Sequence, residues 1–190
     1  TYLLQQFFSP HSNRRKDSWG GSREKRTRFP IEVLTKVQHV VAEKEASHFI
    51  IGYRFSPEEI EEPGIRFEDT MFLLNTLAEY EPDYFHISAN SYQRTSIVNQ
   101  EDTEPLINKY IKMQSAQLAK IPLIGVGSIA QRQDAEHALE LGYDLLSVGK
   151  AYLVEPQWTD KISQNEEVEQ FVDIHDQKVL HIPSPLWKVM

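Results

Sequence analysis

Two glycine-bearing turns in the second half of the chain carry residue types suited to binding a phosphate group. Gly127 and Ser128 follow one short apolar segment, and Gly149 and Lys150 follow the next. Because glycine lets a backbone approach an anion closely, and a following helix offers free N–H groups, each turn could cradle a phosphate. A glycine after a strand is more often only a tight turn. Two such turns occur in consecutive units, and Lys150 adds a positive charge. A phosphate-binding site is therefore the alternative to two simple tight turns.

A positive charge also stands at the end of the first predicted strand. Arg54 follows the apolar segment 49–53, and a cation in such a position needs a partner if it is buried. Two interpretations stay open. Arg54 forms a rim salt bridge with Glu58 or Glu59, or it acts electrostatically on a bound anion.

Helix-like and strand-like segments alternate along the chain. Leu34, Val37 and Val41 have helical spacing, whereas the strand candidates are short and almost continuously apolar. The four predicted strands are 49–55, 84–88, 123–126 and 145–148. This alternation predicts an α/β fold with a parallel sheet covered by helices. Two architectures compete, a doubly wound open sheet and half of a (βα)8 barrel, since whole barrels run to about 250 residues.

Local signals predict several helix boundaries. Ser22 has the character of an N-cap, and Gly142 stands where a C′ glycine follows a helix. Pro30 is expected to kink or restart the helix that contains it. A helix that opens near Pro105 is expected to use Ile107, Ile111 and Leu118 as its apolar face.

The strand ends predict where a ligand would bind. In a parallel α/β sheet, ligands bind beyond the carboxyl ends of the strands. Arg54, Ser88, Gly127 and Gly149 stand near the ends of the four predicted strands. We therefore expect them at one end of four neighbouring parallel strands. In a barrel, the usual phosphate site is built from the loops after the last two strands.

Composition narrows the classes of function. The 190 residues are 40% apolar and 25% charged, as in an ordinary globular domain. The net charge of −8 disfavours broad nucleic-acid binding, which needs clustered Lys and Arg. With no cysteine, the chain has no disulfide, cysteine nucleophile or thiolate metal site, which fits the cytoplasmic location we expect. No apolar run approaches the roughly 20 residues that span a bilayer, so no membrane partner is expected.

Two acidic blocks are interpreted as solvated surface. Residues 58–69 hold six acids and one Arg, and residues 155–176 hold seven acids and one Lys.

A series of motifs runs through most of the chain in a fixed order. Residues 2–15 read YLLQQFFSPHSNRR and residues 19–22 read WGGS. The later motifs are RFSP at 54–57, DYFHIS at 83–88, VGSI at 126–129, VGKA at 148–151 and EPQW at 155–158. Over about residues 2–162, this series closely resembles the Old Yellow Enzyme family of FMN-dependent NAD(P)H:flavin oxidoreductases, and most of all its bacterial NADH-dependent branch.

The resemblance implies a cofactor, a reaction and site residues. It implies FMN, with NADH or NADPH as the reductant and an activated alkene or similar small electrophile as the acceptor. Tyr2 matches the tyrosine that protonates the substrate carbon, and a phenol is protonated near neutral pH. Arg54 matches the arginine at the pyrimidine edge of the flavin, where a fixed charge stabilises the reduced cofactor. The positions that match the FMN phosphate site are Gly127, Ser128, Gly149 and Lys150.

Lys150 and His86 stand at positions where the family has a preferred residue. The family usually has Arg where Lys150 stands, and lysine keeps the charge but loses bidentate geometry. The family often has histidine at the position of His86, which we interpret as a structural residue of the barrel. The seven histidines show no ligand spacing such as H-E-x-x-H, so no metal site is expected.

The resemblance also predicts how much of a barrel the chain contains. Residues 1–190 are expected to be a single partial domain, the C-terminal half of an FMN-binding TIM barrel, with its first four strands absent. The parent is expected to be an oxidoreductase of the ene-reductase type, and a homo-oligomer is compatible with the sequence. The alternative is a non-catalytic half-barrel that binds a phosphate-bearing ligand or a partner chain.

Overall fold

Strands and helices alternate along residues 2–169, the part of the chain that this computed structural model describes. The helices are α1 (Tyr2–Phe8), α2 (Arg23–Glu43), α3 (Phe67–Ala78), α4 (Leu106–Met113), α5 (Arg132–Glu140), α6 (Lys150–Val154) and α7 (Trp158–Ser163). The strands are β1 (Gly52–Phe55), β2 (Tyr84–Ile87), β3 (Leu123–Val126) and β4 (Leu145–Ser147). Within this range, no helix combines the length and the apolar character needed to cross a membrane.

The four strands form one parallel sheet in the order β1-β2-β3-β4. In its register Arg54 lies opposite His86, which lies opposite Ile124, and Val126 lies opposite Ser147. The strand order follows the chain and never reverses, as in a barrel and unlike the switch point of a doubly wound sheet. The predicted α/β fold, with parallel strands and covering helices, is confirmed.

The two faces of the sheet differ in burial because side chains alternate along each strand. Tyr53, Phe55 and Phe85 point to the helix-covered face and belong to the main apolar core, with Leu74 and Leu77 of α3. Fully burying one such side chain contributes about 1.5–3 kcal/mol. The opposite face, which carries the arginine of β1, is more open.

Local signals set the ends of two helices as predicted. The Ser22 hydroxyl accepts a hydrogen bond from the N–H of Lys25 at 3.4 Å, which confirms Ser22 as the N-cap of α2. Gly142 has φ +110° directly after the C-cap residue of α5, which confirms it as C′. Pro30 lies inside α2, and the helix continues without a break to Glu43. The predicted restart at Pro30 is therefore wrong.

The first strand is shorter than its apolar sequence indicated. Phe49 and Ile50 are 60% and 68% exposed and lie outside β1, so this part of the predicted strand is wrong. Asp83 explains where regular pairing begins. Its carboxylate accepts the N–H of Ile51 at 2.6 Å, and its own N–H donates to the Ile51 carbonyl at 2.8 Å. Sheet pairing then starts at Gly52.

The predicted apolar face of α4 is only partly correct. Ile107 is buried, but Ile111 is about two-fifths exposed. Leu118 is fully buried, yet it lies beyond the end of α4 in a 3-10 turn at Leu118–Lys120. Burial of Leu118 was therefore predicted correctly and its helix was not.

Candidate functional site

The expected strand-end residues meet at one edge of the sheet. Arg54 is the second-last residue of β1. Ser88, Gly127 and Gly149 follow the ends of β2, β3 and β4. The N–H of Ser88 donates to the carbonyl of Phe55 at 2.7 Å, so β1 and β2 stay joined up to this edge. The prediction that these four residues lie at one end of neighbouring parallel strands is confirmed.

The first glycine turn is closed by the chain itself. Gly127 has φ +95°, and a Cβ placed there would lie 2.5 Å from the carbonyl carbon of Asn90. The carbonyl of Gly127 accepts the N–H of Tyr92 at 3.0 Å, and the hydroxyl of Ser128 donates to the carbonyl of Asn90 at 3.0 Å. Glycine is therefore required at 127 by the loop after β2. Ser128 still offers its backbone amide to a ligand, although its hydroxyl proton is already used.

The second glycine turn is open. A Cβ placed on Gly149 would meet no atom of residues 2–169 within 4 Å, although its φ of −116° is ordinary for any residue. Lys150 follows at the exposed start of α6, and none of the ion pairs of residues 2–169 includes it. Gly149 thus leaves free space beside a positive charge that has no ion-pair partner in the described part of the chain.

Both turns line one cavity of about 590 Å³. Asn90 contributes to the wall from the loop after β2, and Glu169 contributes the acidic side chain of the lining. An anion bound beside the two turns would meet backbone amides and the charge of Lys150. The arrangement suits a ligand with a phosphate end and a larger body.

Arg54 places a second positive charge at the same edge, and none of residues 2–169 forms an ion pair with it. Its Nη2 donates to the Ser88 hydroxyl at 3.2 Å, and its side chain is exposed on the open face of the sheet. The alternative of a rim salt bridge is wrong within the described residues, because Glu58 and Glu59 are bound elsewhere. The guanidinium is therefore available to a bound anionic group.

His86 lies next to Arg54 in the register, on the same face. Burial, and secondarily the charge of Arg54, lowers the pKa of His86. Its Nε2 is buried and makes no hydrogen bond within residues 2–169. A neutral imidazole in this position fits the structural role we predicted for His86. In the same part of the chain, no group of three His, Asp or Glu side chains could hold a metal ion.

Tyr2 begins α1, which packs against α2. Its side chain is 88% exposed. Gln5 of the same helix lines a small cavity with Arg54, which puts α1 beside the edge that carries the site. The far end of α1 is held by Arg26, whose Nε donates to the carbonyl of Phe8 at 2.7 Å. The structure therefore brings the helix of Tyr2 to the site edge.

Two glutamates of the first acidic block were misjudged as solvated surface. Glu58 is only 7% exposed and accepts hydrogen bonds from Ser96 and Ile97. Glu59 accepts hydrogen bonds from Gln5 and Ser9 of the α1 region. These carboxylates organise the rim of the site. Only their position directly after a strand could have drawn attention to them.

An aromatic support under the first turn was also missed. The Tyr143 ring covers Gly125, where a Cβ would lie 2.6 Å from the ring, and its hydroxyl donates to the carbonyl of Tyr92 at 3.0 Å. Burial raises the pKa of Tyr143 to about 12, so this hydroxyl stays protonated. Because Tyr92 in turn holds Gly127, the pair fixes the geometry of the closed turn.

Comparison with known proteins identifies the family. The sequence profile of the NADH:flavin oxidoreductase / NADH oxidase family, whose cofactor is FMN, matches residues 1–169. The chain belongs to this family, and the resemblance to Old Yellow Enzymes is confirmed.

Two relatives show how much of a longer protein the chain resembles. It is 62% identical over 190 residues to the NADH:acrylate oxidoreductase of Vibrio harveyi, covering 100% of the chain and 19% of that protein. It is 52% identical over 189 residues to the NADH:fumarate oxidoreductase of Klebsiella pneumoniae (strain 342), covering 99% of the chain and 20% of that protein. The chain therefore spans about a fifth of the length of these relatives.

A solved structure shows the same fold. The old yellow enzyme homologue from Zymomonas mobilis superposes with a TM-score of 0.64 at 18% identity, covering 90% of this chain and 46% of that one. The four-stranded sheet thus corresponds to part of the TIM barrel of these enzymes, as predicted. Membership of an enzyme family favours catalysis over the alternative of a non-catalytic half-barrel.

The residues present fit the phosphate end of FMN. The open space at Gly149 leaves room for a phosphate group, and the charge of Lys150 beside it has no ion-pair partner within residues 2–169. Arg54, also without a carboxylate partner in residues 2–169, lies at the same edge of the sheet.

Proposed function

We propose that this chain supplies the phosphate-binding turns, the flavin-facing arginine and the proton donor of an NADH-dependent flavin oxidoreductase. The observation that carries the proposal is that free space at Gly149 and the charges of Lys150 and Arg54, which have no ion-pair partner within residues 2–169, lie at one sheet edge. When bound, FMN supplies hydride transfer from a reduced nicotinamide to an acceptor. The chain's own residues would bind, orient and electrostatically tune it.

Lys150 and the two turns would fix one end of the cofactor. The backbone amides after β3 and β4 would donate to phosphate oxygens, and Lys150 would neutralise part of the charge. Gly127 keeps the first turn in place by its contact with the loop after β2. Ser128 would take part through its amide, since its hydroxyl donates to Asn90.

Arg54 would stabilise the reduced form of the cofactor. Its guanidinium is held by Ser88 and has no counter-ion within the described residues. A fixed positive charge lowers the energy of negative charge that develops beside it. His86, whose pKa is lowered, adds no competing charge next to Arg54 at neutral pH.

Tyr2 would act as the general acid when the acceptor is an activated alkene. One alkene carbon receives hydride, and the adjacent carbon must receive a proton. Relatives named for acrylate and fumarate act on α,β-unsaturated carboxylates. We therefore propose that class of acceptor for the parent protein, with the exposed phenol of Tyr2 directed to it.

A second destination for the electrons follows from the coverage of the relatives. The chain spans only 19% and 20% of the two proteins named for acrylate and fumarate. In a protein of that length, the acceptor can be reduced by a region outside the part that these 190 residues match. Under this second proposal Arg54 keeps its role and Tyr2 has none.

Stopped-flow absorbance of the flavin in the FMN-loaded full-length protein separates the two proposals. Arg54→Ala is expected to slow flavin reduction by NADH, and Arg54→Lys, which keeps the charge, to recover part of the rate. Tyr2→Phe is expected to leave flavin reduction unchanged and to slow reoxidation by an alkene by about 10²–10⁴-fold. Equal slowing of both steps by Tyr2→Phe would make Tyr2 a packing residue. Reoxidation that does not change would support the second destination.

A further inference from the structure

Glu59 joins two parts of the site that are far apart in sequence. Its Oε1 accepts a hydrogen bond from Gln5 Nε2 at 2.8 Å, and its Oε2 accepts one from the Ser9 hydroxyl at 2.5 Å. The N–H of Ile65 donates to the same Oε2 at 3.1 Å, and the N–H of Glu59 donates to the Ile65 carbonyl at 2.9 Å. One carboxylate therefore holds α1 while its own loop is closed around it.

The face of α1 that Glu59 holds also carries Tyr2. Tyr2 and Gln5 are three residues apart in α1, so their side chains lie along one side of the helix. Ser9 directly follows the last residue of α1, and its N–H donates to the Gln5 carbonyl at 2.7 Å. Ser9 is only 1% exposed, which fixes the far end of this face. Glu59 itself belongs to the loop that follows Arg54 and β1. The loop that leaves the strand of Arg54 thus grips the helix of Tyr2.

We propose that Glu59 is a positioning residue that sets the place of Tyr2 relative to the edge of β1. Its kinetic consequence rests on the proposed function, whereas its effect on the placement of Tyr2 does not. A carboxylate suits this task because it can accept from all three donors at once, and an amide has only one acceptor oxygen. A displacement of about 1 Å at a reacting group can cost about 10²-fold in rate.

Glu58 provides a matched control in the neighbouring position. Its Oε1 accepts from the Ser96 hydroxyl at 2.9 Å, and its Oε2 accepts from the N–H of Ile97 at 2.9 Å. Like Glu59, it binds one serine hydroxyl and one backbone amide. It holds the loop after β2, however, and makes no hydrogen bond to α1 within the described residues.

The placement is tested by ¹⁹F NMR with 3-fluorotyrosine in place of Tyr2 in the FMN-loaded full-length protein. Glu59→Gln is expected to shift, split or broaden the resonance, and Glu58→Gln to leave it unchanged. Gln5→Met, which removes one donor at similar volume and leaves the Glu59 loop intact, is expected to move the resonance in the same way. Flavin absorbance and melting temperature confirm that each variant is folded. A resonance that neither Glu59→Gln nor Gln5→Met changes would overturn the proposal.

The kinetic consequence is tested by a double-mutant cycle on alkene-driven flavin reoxidation. Glu59→Gln alone is expected to slow this step by about 10-fold, with flavin reduction by NADH nearly unchanged. In the Tyr2→Phe background it should slow the step no further, whereas any effect of Glu58→Gln should multiply with Tyr2→Phe. Full slowing by Glu59→Gln in both backgrounds would overturn positioning. If Tyr2→Phe itself has no effect, the acid role fails, and the ¹⁹F spectra still decide the role of Glu59.

Discussion

The two glycine turns have similar sequences and opposite surroundings. At Gly127 the chain's own loop occupies the space that a side chain would need, with backbone atoms of Asn90 and Ser91 2.5–2.6 Å from the Cβ position. At Gly149 no atom of the described residues lies within 4 Å of the Cβ position. A glycine after a strand can therefore serve close packing within the protein or close approach of a ligand. The first turn shapes the site, and the second leaves room in it.

The largest effect is expected at the closed turn. Gly127→Ala places a Cβ against the backbone of Asn90 at a φ of +95°. We expect the free energy of unfolding to fall by more than about 2 kcal/mol, because both the backbone conformation and the contact oppose a side chain. Urea denaturation of the FMN-free protein measures this loss. Unchanged stability would mean that the loop after β2 moves away freely.

At the open turn, we expect binding rather than stability to change. The added methyl of Gly149→Ala meets no atom of residues 2–169 within 4 Å and keeps an allowed φ, so the free energy of unfolding should stay the same or rise by up to about 1 kcal/mol. The added methyl would occupy phosphate space, and FMN affinity should fall by about 10-fold, or about 1.4 kcal/mol. Isothermal titration with FMN checks the affinity. If Gly149→Ala lowered the stability and left the affinity for FMN unchanged, this turn would serve packing rather than ligand binding.

A smaller effect is expected from the serine of the closed turn. Ser128→Ala removes the hydrogen bond to the Asn90 carbonyl and should lower the free energy of unfolding by about 0.5–1.5 kcal/mol. The backbone amide remains, so FMN affinity should stay within about threefold of its original value. A much larger loss of FMN affinity at unchanged stability would show that the hydroxyl itself binds the phosphate.

The smallest effect is expected at His86 and concerns the pH dependence of stability. His86 lies on β2, between β1, which carries Arg54, and β3, which leads to the closed turn. The pKa of His86 is lowered in the folded protein, chiefly by burial. The unfolded state therefore binds more protons, and stability that is full above the unfolded pKa of about 6.5 is lost as pH falls through that value. His86→Leu should reduce the loss of stability between pH 7 and pH 5, measured by urea denaturation at both pH values. An identical pH dependence in both proteins would show that His86 does not titrate differently on folding.

The sheet was predictable from sequence because its strands are short apolar runs in a regular alternation. Its first boundary was not, since Phe49 and Ile50 are as apolar as the strand they precede and Asp83 decides where pairing begins. Arg54 and Lys150 were found by their position at strand ends and by resemblance. Their lack of ion pairs within residues 2–169 is a property of the folded chain that no local pattern contains.

The roles of several other residues depend on contacts between distant parts of the chain. Gly127 and Gly149 look alike in sequence, and only the loop after β2 separates them. Glu58 and Glu59 stand in an acidic run that is typical of solvated surface. Their serine partners lie 38 and 50 residues away. Such pairings follow from the tertiary fold, so composition and spacing could not reveal them.

The central claim is that the open turn binds the phosphate of FMN, and a comparison of two ligands tests it most directly. Riboflavin has the same ring system as FMN and lacks the phosphate. Lys150→Ala in the FMN-free full-length protein should weaken FMN binding by about 10-fold or more and leave riboflavin binding unchanged, measured by quenching of flavin fluorescence. Lys36→Ala, at an exposed lysine of α2 outside the cavity lining, is the control and should affect neither ligand. Equal weakening of FMN and riboflavin by Lys150→Ala, or of neither, would contradict the claim.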